Sequence, residues 1–119
     1  MQNSKVYDIR ERTMIFSLDI IKLLETMPNS YISSVIGKQL LRSATSIGAN
    51  IIEAQSASSK REFQNFYSIA LKSANETKYW LDLLKRSGKC ASSNVDRLIE
   101  EVGEISKIIA KSILTIKCR

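Results

Sequence analysis

The sequence contains no histidine, a single proline, four glycines and two cysteines in 119 residues. Without histidine, the Glu-x-x-His ligands of a di-iron bundle cannot be assembled, and neither a Ser-His nor a Cys-His nucleophile pair is available. Cys90 and Cys118 lack metal-ligand spacing. One falls in an expected loop and the other near the chain end, so both read as reduced thiols of a cytoplasmic protein. Gly48 stands alone inside an expected helix, where close packing explains it better than a phosphate does, and no glycine-rich phosphate loop exists. Charges interrupt the opening MQNSKVYDIRERTMIF, and no apolar run approaches the length of a membrane span. The expectation is a soluble, non-enzymatic chain with no cofactor, no metal and no membrane partner.

Scarce turn formers also mean few, long elements. Hydrophobic residues make up 44% of the chain, enough for one cooperative core in one domain spanning 1–119. Four helices fit. The first runs from about Val6 to Met27 and stops at Pro28-Asn29-Ser30; the second runs from about Ile32 to Ser56. Ser59 with Glu62 three residues later forms a capping box, so the third starts near Lys60, and Ser87-Gly88 ends it. Ser92 or Ser93 caps the fourth, which continues almost to Arg119.

Apolar spacing carries the same assignment. Ile36, Leu40, Ala44, Ile47, Ile51 and Ala54 recur at steps of four and three in the second helix. Phe63, Phe66, Ala70, Ala74, Thr77, Leu81 and Leu84 do so in the third, and Val95, Leu98, Val102, Ile105, Ile109 and Ile116 form the stripe of the fourth. Nothing alternates like a strand. Short connections between helices of about 37 Å favour an all-α, antiparallel, up-down-up-down four-helix bundle.

Eighteen Lys and Arg against twelve Asp and Glu give a net charge of +6. That balance favours a polyanionic partner, RNA or DNA, and equally describes an ordinary solvated surface. On the third helix, Arg61, Lys72, Tyr79 and Arg86 project opposite the apolar stripe, with Lys60 at its start and Lys78, Lys85 and Lys89 along an adjoining strip. A tyrosine among cations can stack on an unpaired base while the cations hold phosphates. Lys107, Lys111, Lys117 and Arg119 extend the basic set without an acid among the last fifteen residues. A subunit contact for Tyr79 and plain solvation for the cations stay open beside this reading. Trp80, among leucines, reads as core or interface, and Leu114 as a subunit contact.

One stretch departs from this pattern: RSATSIGANIIEAQSASSKREF, residues 42–63, is crowded with small, weakly charged residues. Opposite the second helix's apolar stripe lie Gln39, Ser43, Ser46, Asn50 and Glu53, with Arg42 and Ala49 beside them. Such a face implies packing on more than one side, with Arg42 and Glu53 or Glu76 in a polar network; the alternative is a plain surface of low charge.

At these residues the chain resembles the four-helix bundle proteins encoded in intervening sequences of bacterial large-subunit (23S) rRNA genes. The resemblance rests on Arg42, Ser46, Ile47, Asn50, Glu53 and Ala54, then on Glu62, Phe63, Ile69, Ala70 and Glu76. The opening YDIRERTMIFSLDIIKLL is similar as well, so the likeness covers nearly the whole chain. It implies an antiparallel bundle and, from related proteins, a ring-shaped homopentamer without enzymatic activity. It also implies RNA binding, and a related accessory protein of diversity-generating retroelements works with a reverse transcriptase as a basic ring. Where relatives tend to carry acids before the downstream Glu, this chain has Ser73 and Asn75, which leaves Glu76 without a carboxylate cluster. Two function classes follow: an oligomeric, RNA-directed nucleic-acid-binding accessory protein, or a structural scaffold that presents surfaces to a protein partner and binds no nucleic acid.

Overall fold

The computed structural model describes residues 8–117. Its four helices are α1 (Ile9–Glu25), α2 (Tyr31–Ala54), α3 (Lys60–Ser87) and α4 (Ser92–Lys117), and the described residues contain no strand. Each helix packs on its neighbours in sequence and α1 closes on α4, while the backbones of the diagonal pairs α1/α3 and α2/α4 stay further apart. Cross-helix bonds fix the directions. Ser43 meets Thr77 and Ser46 meets Ser73, so residue numbers rise on α2 as they fall on α3. The same inversion holds between α1 and α4, where Arg12 reaches Glu101 and Asp19 reaches Arg97. The result is the expected up-down-up-down bundle.

Local chemistry explains the boundaries. Asp8 lies in extended conformation and accepts from the Arg10 and Glu11 amides at 2.9 and 3.1 Å, so α1 starts at Ile9. The expected earlier start at Val6 lies outside the described residues. Ser30 caps α2 by accepting from the Ser33 amide. The capping box of α3 is formed on one arm as expected, with the Glu62 amide donating to Ser59 Oγ at 3.0 Å. Its other arm differs: Glu62 Oε1 accepts from the Ser58 amide, at 2.7 Å, one residue upstream of the usual partner. Gly88 ends α3 at φ +72°, a left-handed conformation that glycine adopts without steric penalty. Neither serine serves as the leading residue of α4: Ser92 is already helical, and the Asn94 and Val95 amides donate to the Ala91 carbonyl. The expected end near Arg119 lies outside the described residues, as does Cys118.

The core is one continuous cluster. Phe16, Ile20, Leu40, Ile47, Ile51, Leu81, Leu98, Ile105 and Ile109 are all sealed from solvent. Three stripe residues sit further out than their spacing suggests: Ile36, Phe63 and Phe66 are half-buried. On α4 the buried position near the end is Ile113, while Ile116 is only half-buried. Tyr67, absent from the expected stripe, is buried against Phe63 with ring centroids 4.5 Å apart.

α1 approaches α2 closely because Gly48 has no side chain. A Cβ at that position would lie 3.1 Å from Thr13 Oγ1 and 3.3 Å from Thr13 Cβ. The solitary glycine is therefore a packing residue.

Candidate nucleic-acid interface

The small-residue face of α2 turns out to be a seam with α3. Ser46 Oγ and Ser73 Oγ lie 2.9 Å apart, and Ser43 Oγ and Thr77 Oγ1 are also 2.9 Å apart in a fully buried position. Asn50 Nδ2 donates to the Ser46 carbonyl at 2.8 Å and to its hydroxyl at 3.1 Å. Small side chains bring the two helices together, and hydroxyl pairs satisfy the polar atoms that become buried. Ser73 thus serves as the partner of Ser46 across the seam.

Toward solvent the seam ends in an ionic pair. Arg42 donates to Glu76 and, at 3.0 Å, to Gln39 Oε1; Trp80 Nε1 donates to the same Glu76 oxygen at 2.9 Å. Glu76 is thus held by a cation and an indole, which fixes the Trp80 ring. Tyr79 packs edge-on against that ring with centroids 5.1 Å apart. Glu53 takes no part in this network: it is exposed on the rim between α1 and α2.

Tyr79 itself is 61% exposed, and Arg61, Lys72 and Arg86 share its outward side of α3. The structure divides the candidate cations by what they already hold. Lys85 Nζ lies 2.7 Å from Asp96 on α4, Arg86 Nε lies 3.2 Å from Asp82, and Lys107 Nζ lies 3.9 Å from Glu104. Among the described residues, Lys60, Arg61, Lys72, Lys78, Lys89, Lys111 and Lys117 form no ion pair within 4.0 Å. Four of these gather at one end of the bundle. Because α3 and α4 run antiparallel, Lys60 and Arg61 at the start of α3 share an end with Lys111 and Lys117 at the finish of α4. The positive end of the α3 dipole adds to the field there.

Between these elements, Phe63 and Tyr67 face Ile108, Lys111 and Ser112 across a shallow groove of about 390 Å³. Burial pushes the Tyr67 phenol above its ordinary value, so it stays neutral and serves as a packing group. Lys85, Arg86 and Lys89 lie at the other end. The cations therefore form a row along α3 whose unpaired part runs from Lys60 to Lys78, and its exposed aromatic, Tyr79, closes that part. No three His, Cys, Asp or Glu side chains among the described residues converge as a metal site. No helix among the described residues is long and apolar enough to cross a membrane.

The family model described as "23S rRNA-intervening sequence protein" matches residues 5–111. A solved structure of a protein of unknown function from the S23 ribosomal protein family of Bacteroides thetaiotaomicron is similar in sequence and fold. It shares 39% identity over 88% of this chain and 97% of that one, with a TM-score of 0.83. No curated protein matches the chain.

Proposed function

The chain belongs to the 23S rRNA-intervening sequence protein family, and from that premise we propose that it is a non-enzymatic, homo-oligomeric RNA-binding accessory protein that uses the outward face of α3. The observation that carries the reading is the row of unpaired cations ending at exposed Tyr79. A cation that already holds a carboxylate must give up that partner to take a phosphate. An unpaired one releases only counterions, and counterion release drives association with a polyanion. Tyr79 adds a flat apolar surface for an unpaired base, and base stacking of this kind contributes about 1–3 kcal/mol. Multiplying the row by assembly would add the fields of neighbouring copies.

A second reading, a scaffold for protein partners without nucleic-acid contact, is favoured by the exposed apolar residues on α1 and α2. Fluorescence anisotropy with a labelled structured RNA separates the two. With four phosphates held per copy, log affinity should fall against log salt with a slope of about −3. The double variant Arg61→Glu/Lys72→Glu should lose at least ten-fold in affinity at low salt. The matched reversal of the paired residues, Lys85→Glu/Arg86→Glu, should lose less. Wild-type binding that ignores salt, or an unaltered affinity for Arg61→Glu/Lys72→Glu, would refute the RNA reading in favour of the scaffold.

A further inference from the structure

The outward face of α3 carries more than cations. Arg61, Asn65, Ser68, Lys72, Asn75 and Tyr79 follow one another at steps of four and three, so they line up along a single side of the helix. Ser68 is half-buried and the other five are exposed. No carboxylate interrupts the stripe, because residues 63–75 contain no acid. The acids around it are already engaged: Glu62 accepts from the Ser58 amide, Glu76 is held by Arg42 and Trp80, and Asp82 pairs with Arg86. From Arg61 to Tyr79 the stripe rises about 27 Å along the helix. Only two of its six side chains are cations; the others are two amides, a hydroxyl and an aromatic ring.

We propose that this stripe takes a single-stranded segment of RNA laid along α3 and discriminates against duplex RNA. The proposal names the substrate class of the site described above and rests on its RNA reading. The mixture of groups selects the strand. An asparagine amide offers both donors and an acceptor, which suits the Watson–Crick edge of a base, and that edge is free in a single strand and occupied in a duplex. The major groove of an A-form duplex is too deep and narrow for side chains to read, so duplex binders rely on phosphates and 2′-hydroxyls. Against a duplex, the amides of Asn65 and Asn75 would find no base edge and the Tyr79 ring no base face. The ring is also held from behind. Trp80 lies edge-on to it at 5.1 Å, and the indole is fixed to Glu76 at 2.9 Å. A side chain already held loses little rotational freedom when a base stacks on it. Length agrees as well: about 27 Å accommodates roughly 8 nucleotides at about 3.4 Å each, and fewer when the strand is extended. That lies inside the range of about 4–16 nucleotides covered by single-strand-binding folds.

The test is fluorescence anisotropy at low salt with two probes: a labelled, unstructured RNA strand of about 16 nucleotides, and the same strand annealed to its complement. The wild type should bind the strand at least ten-fold more tightly than the duplex. Tyr79→Ala should weaken strand binding by about five-fold or more, the lower limit of base–aromatic stacking, whereas Tyr79→Phe keeps the ring and should keep the affinity. Asn65→Ala/Asn75→Ala should narrow the preference for the strand over the duplex. A duplex bound as tightly as the strand overturns the single-strand assignment and leaves the RNA reading standing. An absence of binding to either probe overturns the RNA reading and this one with it. A strand preference that neither Tyr79→Ala nor Asn65→Ala/Asn75→Ala alters overturns the stripe as its seat. If Tyr79→Ala loses the helical circular dichroism signal, Asn65→Ala/Asn75→Ala, at two exposed positions, is judged by the same ratio of affinities.

Discussion

Gly48→Ala is the substitution whose sign is decided by how closely α1 lies on α2. In an open helix interior, alanine is more favourable than glycine by about 0.8–1.0 kcal/mol. Here the added methyl would sit 3.1 Å from Thr13 Oγ1 and 3.3 Å from Thr13 Cβ. Thr13 is 1% exposed, and its hydroxyl donates to the Ile9 carbonyl at 2.9 Å, with the Arg10 carbonyl also near at 3.1 Å. Rotating it away sacrifices that bond, and shifting its Cβ means shifting α1. Overpacking of this kind costs about 1–3 kcal/mol, which exceeds the gain in helix propensity. The expected net effect is a destabilisation of about 1 kcal/mol.

Gly103 provides the contrast, because nothing lies within 4 Å of a Cβ built there. Gly103→Ala should realise the propensity gain of about 0.8–1.0 kcal/mol. The two variants should therefore differ by about 2 kcal/mol, or about 8 °C in Tm for a domain of this size. Urea unfolding followed by far-UV circular dichroism reads this directly, provided the m-values agree. Removing the obstructing oxygen with Thr13→Ala should shrink the penalty at position 48, with a coupling energy of at least about 0.5 kcal/mol. If Gly48→Ala stabilises the protein as much as Gly103→Ala does, the close approach of α1 and α2 is not what selects glycine at this position.

Two further outcomes test the α2/α3 seam and the start of α1. Asn50→Ala should destabilise by about 1 kcal/mol, because it removes the amide held by the Ser46 carbonyl and hydroxyl; Glu53→Ala, at an exposed position outside that seam, should stay within about 0.5 kcal/mol by urea titration. Asp8 accepts from the Glu11 and Arg10 amides, the first being the larger cause, and its carboxyl is held below its ordinary value. A lowered folded-state pKa means a contribution that is present above the unfolded value of about 4 and is lost as pH falls through the folded one. The first turn of α1 should therefore exchange its amide hydrogens with less protection below about pH 4, whereas Asp8→Asn should remove that dependence.

The four helices were legible because their apolar stripes are long, and because Pro28, Ser59 and Gly88 are local signals that need no tertiary information. The finer errors have local causes too. Tyr67 follows Phe63 by four and precedes Ala70 by three, a spacing the sequence displays, but Phe66 competes for the same side of the helix and is the more apolar residue. Ser92 and Ser93 offered two cap candidates in a row, and the chain enters α4 through the Ala91 carbonyl instead. The Arg42 partner needed the fold: Glu53 is near in sequence, yet only Glu76, across the α2/α3 seam, lies within reach. Which cations are unpaired is likewise a tertiary fact. Asp82 with Arg86 is an i,i+4 pair that a sequence shows, whereas Lys85 with Asp96 forms only after α4 folds back on α3.

The exposed apolar face of α1 had a signal that composition concealed. Met14, Leu18 and Ile21 repeat at four and three, beside the inward set Phe16, Ile20 and Leu23. A helix with two apolar stripes has more apolar surface than one intramolecular core covers, and the second stripe stays exposed. In this bundle the second stripe lies between α1 and α2, while the unpaired row from Lys60 to Lys78 lies on α3, diagonally across from α1. The exposed apolar surface and the unpaired cations of α3 therefore occupy separate faces of the bundle.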